Sequence, residues 1–287
     1  MRTDIVAVLF DFDDTLAPDS TTALLQAHNV DTKKFWQQDV PALVTAGYDP
    51  PAAWLNSLLK LVGLGKPLGE LTNAKLKEFG ASLDNTFYPG LPEFFDDLRS
   101  EVKNRFRNMQ IEFYIISGGL YEIMAGTSIV QNHFKAVYGC HLAGDDENGV
   151  LKYIKRSITF TEKTRYVFEI HKGLDPSESW KKPTLVNKFV AEDERRIPLK
   201  NMIYVGDGLT DIPCFSLLKK FGGHGFGILH KREYKPKEAL EEFLKTDRVV
   251  SMHGPDYRKE ADLAAILRAA VVNKCVDIQL SRPQARG

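Results

Sequence analysis

The sequence predicts an α/β protein: a doubly wound, Rossmann-like parallel sheet core with an inserted, mainly helical second domain. Three observations carry this reading. Short apolar runs that end in polar, Gly-rich turns recur along the chain, and amphipathic helical patterns lie between them. One long segment, residues 19–87, holds helical patterns and no convincing strand.

The apolar runs are IVAVLF (5–10), IEFYII (111–116), KAVYGC (135–140), NMIYVG (201–206), GFGILH (225–230) and DRVVSM (247–252). Their apolarity is continuous rather than alternating, as in strands buried on both faces of a parallel sheet. Phe94, Leu98, Val102 and Phe106 recur every four residues and predict a helix. Leu263, Ile266, Leu267 and Ala270 mark a second one within 260–272. Alternating strand and helix implies right-handed crossovers.

Residues 1–18 and 88–287 are thereby assigned to the core domain and 19–87 to the insertion. Apolar clusters within the insertion (Leu24/Leu25, Phe35/Trp36, Trp54/Leu55, Leu58/Leu59) are separated by Gly/Pro breaks at 47–51 and 63–69. Pro18 and Tyr88-Pro89-Gly90 sit on the two connections and are read as hinge positions. Asn148-Gly149 is a hairpin turn signal, so Asp145, Asp146 and Glu147 read as a solvated turn. Residues 172–183 read as a surface loop.

Charge and composition exclude several function classes. Lys+Arg and Asp+Glu both number 38, which lacks the basic excess of a nucleic-acid or anionic-membrane binder. No apolar stretch approaches the ~20 residues of a membrane span, and the first run is too short for a signal peptide. Cys140, Cys214 and Cys275 are scattered without CxxC spacing and suit buried thiols in a reducing compartment. A cytoplasmic protein is the expectation. The sequence does not set its oligomeric state.

Three strand ends carry unusual polar residues: Asp11-Phe12-Asp13-Asp14-Thr15, then Ser117-Gly118-Gly119, then Gly206-Asp207-Gly208-Leu209-Thr210-Asp211. Ligands of open α/β sheets bind at such ends. Residues two apart on a strand share a face, so Asp11 and Asp13 can converge. Carboxylates crowded at one sheet edge repel unless a cation joins them, and oxygen-only ligation favours Mg²⁺. Rival motifs fail on spacing. An EF-hand starting at Asp11 needs Gly and Glu where Leu16 and Thr22 stand, and a serine-hydrolase elbow at Ser117 needs Gly where Ile115 stands. There is no P-loop, and the seven histidines lack metal-ligand spacing. The basic run His230-Lys231-Arg232 reads as a solvated face.

DxDxT after a hydrophobic strand, a strand ending in Ser, a later Lys and GDGxxD together resemble the haloacid dehalogenase superfamily. The resemblance covers most of the chain outside the insertion, which is similar to the cap domains of that superfamily. It implies a Mg²⁺-dependent phosphomonoester hydrolase acting on a small phosphorylated metabolite. Asp11 would be the nucleophile forming an aspartyl phosphate, and Asp13 the general acid and base. Ser117, the Gly118 amide and a lysine would hold the phosphoryl oxygens. Asp11, the Asp13 carbonyl, Asp207 and Asp211 would serve the metal. Lys163 is the lysine assigned, with Lys182 the runner-up. Asp14 is expected to stand aside.

The substrate itself is not legible. Phosphoserine phosphatases resemble this arrangement, but they carry a substrate-reading Glu soon after DxDxT, where this chain has only Asp19 near. Trp36, Trp54 and Tyr48 read as core residues of the insertion before pocket residues. A phosphomutase with the same motifs is the alternative enzyme. A non-catalytic phosphate-binding module is the alternative from another class, and Asp13 argues against it.

Overall fold

The computed structural model describes residues 4–146, 149–229, 242–243 and 246–281. The chain opens with β1 (Ile5–Phe10), then passes through α1 (Ser20–Ala27), α2 (Thr32–Lys34), a π-helical turn (Phe35–Asp39), α3 (Val40–Thr45), α4 (Pro50–Lys60) and α5 (Asn73–Ser82). It continues through α6 (Glu93–Arg105), β2 (Gln110–Leu120), α7 (Tyr121–Gly126), α8 (Ser128–His133), β3 (Phe134–Ala143) and β4 (Tyr153–Arg156). The last part contains α9 (Glu162–Lys172), α10 (Pro176–Lys181), β5 (Met202–Gly206), α11 (Ile212–Lys220), β6 (His224–Ile228), β7 (Ser251–His253) and α12 (Asp262–Leu280).

The sheet runs β4-β3-β2-β1-β5-β6-β7, and only the β3–β4 pair is antiparallel. The chain builds outward from β1 through β2 and β3, then crosses back to lay β5 on the other side of β1. Strand order therefore reverses at β1, the place where an open α/β sheet leaves a crevice for ligand.

Alternate residues of β1 serve two separate cores. Val6, Val8 and Phe10 pack with Phe95 and Leu98 of α6 and with Leu263 and Leu267 of α12. Ala7 and Leu9 face Tyr166 and Val167 of α9, Phe215 and Leu218 of α11, and the helical segment between β1 and β2. Burial on both faces is why these strands read as unbroken apolar runs.

That helical segment joins the second core directly. Leu24, Leu25, Leu55, Leu58 and Leu76 form one apolar cluster with Tyr114, Ile116 and Leu120 of β2. Helices α5 and α7 touch backbone to backbone: a Cβ on Gly80 would stand 2.1 Å from Ile123 O, and one on Gly126 would stand 2.1 Å from Lys77 O. Asn73 Nδ2 donates to Leu142 O at 3.3 Å, Leu151 N to Leu71 O at 2.9 Å, and Ser128 N to Asp84 Oδ1 at 2.8 Å. Trp36 and Trp54 pack together inside the segment, with Trp36 Nε1 donating to Thr22 Oγ1 at 2.8 Å, while Tyr48 is exposed.

Several expectations change. Strand β4, antiparallel to β3, follows the hairpin turn signal at Asn148-Gly149, while helix α10 was not expected because its stretch reads as a surface loop. Asp175 caps α10 by accepting from Ser177 N and Glu178 N, and Pro176 follows at the first helical position. Helix α12 continues to Leu280 because Cys275 and Ile278 extend its buried face. Strand β7 begins only at Ser251, after a turn at Asp247 with φ 53°. The two connections of the insertion are tied rather than open. Tyr88 N donates to Leu16 O at 2.9 Å, and Tyr257 N donates to Pro89 O at 2.7 Å. The basic run at 230–232, Glu147 and Asn148 lie outside the described residues. Among the described residues no helix is long and apolar enough to cross a membrane.

Candidate active site

Asp11 follows β1 directly, and its amide donates to Val205 O of β5 at 2.9 Å. The carboxylate thus stands where the chain leaves the sheet at the switch in strand order. Its Oδ1 accepts from Phe12 N at 2.7 Å, and its Oδ2 accepts from Lys163 Nζ at 2.8 Å. Lys163, on the first turn of α9, is 1% exposed and also donates to Asp211 Oδ1 at 2.7 Å. Burial works against its charge, yet Asp11 and Asp211 hold the ammonium above the ordinary lysine range.

Asp211 is fully buried, and three groups fix it. Oδ1 accepts from Lys163 and from Tyr204 Oη at 2.8 Å, and Oδ2 accepts from Gly208 N at 3.0 Å. Burial still raises its pKa. The carboxylate lies over the end of β5, where a Cβ on Gly206 would come within 2.4 Å of Asp211 Oδ2. The first glycine of the GDGLTD stretch is required by the last aspartate. Asp207 is buried beside them.

Asp13 turns toward the second strand end. Its Oδ1 accepts from Ser20 N, the first residue of α1, at 2.7 Å. A Cβ on Gly119 would meet its Oδ2 at 2.4 Å. Burial, then the neighbouring Asp19 carboxylate, raise the Asp13 pKa well above the usual carboxylate range. Ser117 is buried, with Oγ accepting from Gly119 N at 3.1 Å, and Gly118 has open space on its Cα. Gly118 O accepts from Cys140 Sγ at 3.1 Å, which secures the turn from β3. Asp14 is buried in the left-handed conformation, φ 58°, and its amide closes the turn onto Ala17 O at 2.7 Å.

Carboxylate oxygens of Asp11, Asp207 and Asp211 lie within 4.8 Å of one another, all buried. Three buried carboxylates against the single ammonium of Lys163 leave excess negative charge that burial penalises. The donor set is hard oxygen throughout and fits Mg²⁺. The Asp13 carboxyl is not in this group. Lys182 is exposed at the end of α10, where its amide donates to Glu178 O. The fold brings together Asp11, Lys163, Asp207 and Asp211. It sets Asp13 against the Ser117–Gly119 turn beside them, and leaves Lys182 out.

The sequence reading missed Tyr204, a hydroxyl inside an apolar run. Gly206, Gly208 and Gly119 likewise carry tasks that the motifs alone do not assign. For Gly206 the signal was available, since a glycine five residues before a buried aspartate leaves room for its carboxylate.

No protein-family model matches the chain. A hydrolase of the haloacid dehalogenase family from Salmonella enterica subspecies enterica serovar Typhi superposes with a TM-score of 0.53 at 16% identity, over 88% of this chain and 67% of that one. A probable phosphoserine phosphatase from Vibrio cholerae gives a TM-score of 0.52 at 13% identity, over 97% of this chain and 67% of that one. The fold is that of the haloacid dehalogenase superfamily. The chain belongs to one family with an uncharacterised protein of Borreliella burgdorferi. The two are 30% identical over 285 residues, which covers 91% of this chain and 95% of the relative.

Proposed function

We propose that the protein is a Mg²⁺-dependent phosphomonoester hydrolase that works through an aspartyl phosphate on Asp11. The observation that carries the proposal is the Lys163 bridge. Its ammonium holds Asp11 Oδ2 in a fixed direction and offers positive charge where a phosphoryl group would arrive.

Asp11, Asp207 and the Asp13 carbonyl would hold Mg²⁺, with Asp211 completing the cluster or orienting it through Lys163. The metal, when bound, would neutralise phosphoryl oxygens so that one anion can approach another. The residues supply the remaining steps. Asp11 attacks phosphorus as the bond to the leaving oxygen breaks. Asp13, whose raised pKa keeps a proton available, gives that proton to the leaving oxygen. Asp13 then takes a proton from the water that hydrolyses the acyl phosphate, releasing phosphate and restoring Asp11. Ser117 Oγ and the Gly118 amide would receive the phosphoryl oxygens, since Gly118 has open space before it.

The helical segment 19–87 would be the cap that covers the site and selects a small phosphorylated metabolite. Ser20 N on Asp13 links its first residue to the proton donor. The three free cysteines are all buried, which suits a reducing, cytoplasmic setting.

The test is Mg²⁺-dependent release of p-nitrophenol from p-nitrophenyl phosphate by the wild type and by Asp11→Asn. Turnover by the wild type that EDTA removes, with none above background in a folded Asp11→Asn protein, is the expected result. Equal turnover by the two proteins would remove Asp11 as the nucleophile.

A further inference from the structure

A cleft of about 1770 Å³ opens at the end of the sheet opposite the carboxylates, and the proposed chemistry does not use it. Its walls come from the C-terminal half of α9, the stretch leading into β5, the end of α11 and the last turns of α12. Three elements reach both places. β1 runs from Asp4 in the cleft to Asp11, β5 from Asn201 to Asp207, and α9 from His171 and Lys172 back to Lys163.

Two of the lining side chains are polar and almost wholly buried, each 4% exposed: Lys274 and Asn201. Lys274 Nζ donates to Gly222 O at 2.6 Å, and this is its only hydrogen bond among the described residues. An ammonium has three donors, so two remain unfilled. The Asn201 side-chain amide hydrogen-bonds to no described residue, although its backbone amide donates to Pro198 O. Both side chains thus line the cleft with hydrogen-bonding capacity that a ligand could fill.

Charge defines what it receives. Lys200 and Lys220 line the same end of the cleft and are exposed. The backbone at Gly222 brings the groups together: a Cβ there would lie 3.5 Å from Lys200 Cβ, and its carbonyl holds Lys274. Asp277, one turn along α12 from Lys274, is the acidic neighbour. Across the cleft lining six basic side chains (Arg165, Lys172, Arg195, Lys200, Lys220 and Lys274) stand against four acidic ones (Asp4, Glu192, Asp193 and Asp277), a formal excess of two positive charges. Among the basic ones, Arg165 is engaged by Glu162 and Glu169, and Lys172 by the carbonyls of Val186 and Lys188. Burial, with Lys200 adding to it, lowers the Lys274 pKa, so an arriving anion would stabilise that ammonium.

We propose that this cleft is a second ligand site, which takes a small phosphorylated molecule through its phosphoryl dianion, with Lys274 and Asn201 at the floor and Lys200 and Lys220 at the rim. Lysines act on phosphate as point charges, and two of these are free to close over a dianion once it is seated.

Calorimetric titration of the full-length protein with inorganic phosphate tests this, using the wild type, the rim variant Lys200→Glu/Lys220→Glu and Lys163→Met. The wild type should show a binding event that the rim variant weakens at least tenfold and that Lys163→Met leaves in place. Lys274→Met should remove the same event. Should that variant not fold, the rim variant decides alone, because its two positions are exposed. Phosphate binding that is unchanged in the rim variant, or abolished by Lys163→Met alone, overturns the proposal. The event lost in the rim variant is independent of turnover, so failure of the hydrolase reading would leave this result standing.

Discussion

Lys163 Nζ lies 2.8 Å from Asp11 Oδ2 and 2.7 Å from Asp211 Oδ1, one buried cation shared by two strand ends. The first residue of the acid cluster and the last are joined through a side chain 48 residues before the latter. Removing one partner of a buried ion pair commonly costs about 3–5 kcal/mol, because the remaining charge keeps its desolvation penalty. Lys163→Met should therefore lower the stability of the metal-free protein by about 3 kcal/mol and reduce turnover by ~10²-fold or more. Added Mg²⁺ should restore part of the stability by supplying positive charge to the same carboxylates. Lys182→Met, at an exposed position, should change neither. Urea unfolding with and without Mg²⁺, together with phosphate release, measures all three. A Lys182→Met protein that is inactive while Lys163→Met works would reverse the assignment.

Tyr204 tests whether Asp211 must be held still. Its ring packs edge-on against Phe215 at 5.6 Å, so Phe can take its place without a cavity. Tyr204→Phe removes only the hydroxyl that donates to Asp211 Oδ1. Loss of one such hydrogen bond is worth about 1 kcal/mol, so turnover at saturating Mg²⁺ should fall by roughly fivefold to tenfold. The Mg²⁺ concentration for half-maximal activity should rise as well. If the melting temperature falls but both kinetic quantities hold, Tyr204 serves packing alone.

The sequence makes the cluster legible because each acid follows a strand whose continuous apolarity is itself readable. Asp11, Asp207 and Asp211 meet in space for that reason. Choosing between Lys163 and Lys182 lies beyond sequence spacing, since both fall near helix boundaries and only the path of α9 decides which is buried. Tyr204 is hidden because a strand tyrosine looks apolar until its hydroxyl finds a partner. The β3–β4 hairpin is legible only through its Asn148-Gly149 turn signal. Tyr153–Arg156 is short and half exposed, so it lacks the apolar run that announces the other strands.

The packing of α5 on α7 changes the expectation for the insertion. A swinging cap should be removable, but here the segment covers Tyr114, Ile116 and Leu120 with its own leucines. Replacing residues 20–86 with a short Gly/Ser linker should therefore yield an insoluble or unfolded protein. A gentler test is Gly126→Val, whose side chain would press on the Lys77 carbonyl. Forcing the two helices apart costs about 1–3 kcal/mol by the usual penalty for overpacking. The melting temperature should fall accordingly. Substrate preference should shift more than turnover of p-nitrophenyl phosphate, since α7 follows directly on the Ser117 strand. An unchanged melting temperature would show that α5 lifts away freely.

His141 gives the protein a pH-dependent stability of predictable sign. It stands on β3, with the Tyr121 ring stacked on it at 4.4 Å and the Trp180 ring edge-on at 4.8 Å. Its Nδ1 is 4.0 Å from Glu122 Oε1, and its Nε2 is buried with no hydrogen-bond partner among the described residues. Burial, with repulsion from Arg156 and Lys155, lowers its pKa to about 4. In the unfolded chain the imidazole titrates near 6.5. Between those values the unfolded state binds a proton that the folded state refuses, so this contribution is complete above about pH 6.5 and is lost as the pH falls toward 4. The full span is up to about 3 kcal/mol. His141→Gln removes the titration while keeping a polar side chain. The wild type should therefore lose stability relative to His141→Gln when urea unfolding is compared at pH 7 and pH 4.5. A wild type that gains on the variant as the pH drops would mean that the imidazole charges in the folded protein and pairs with Glu122.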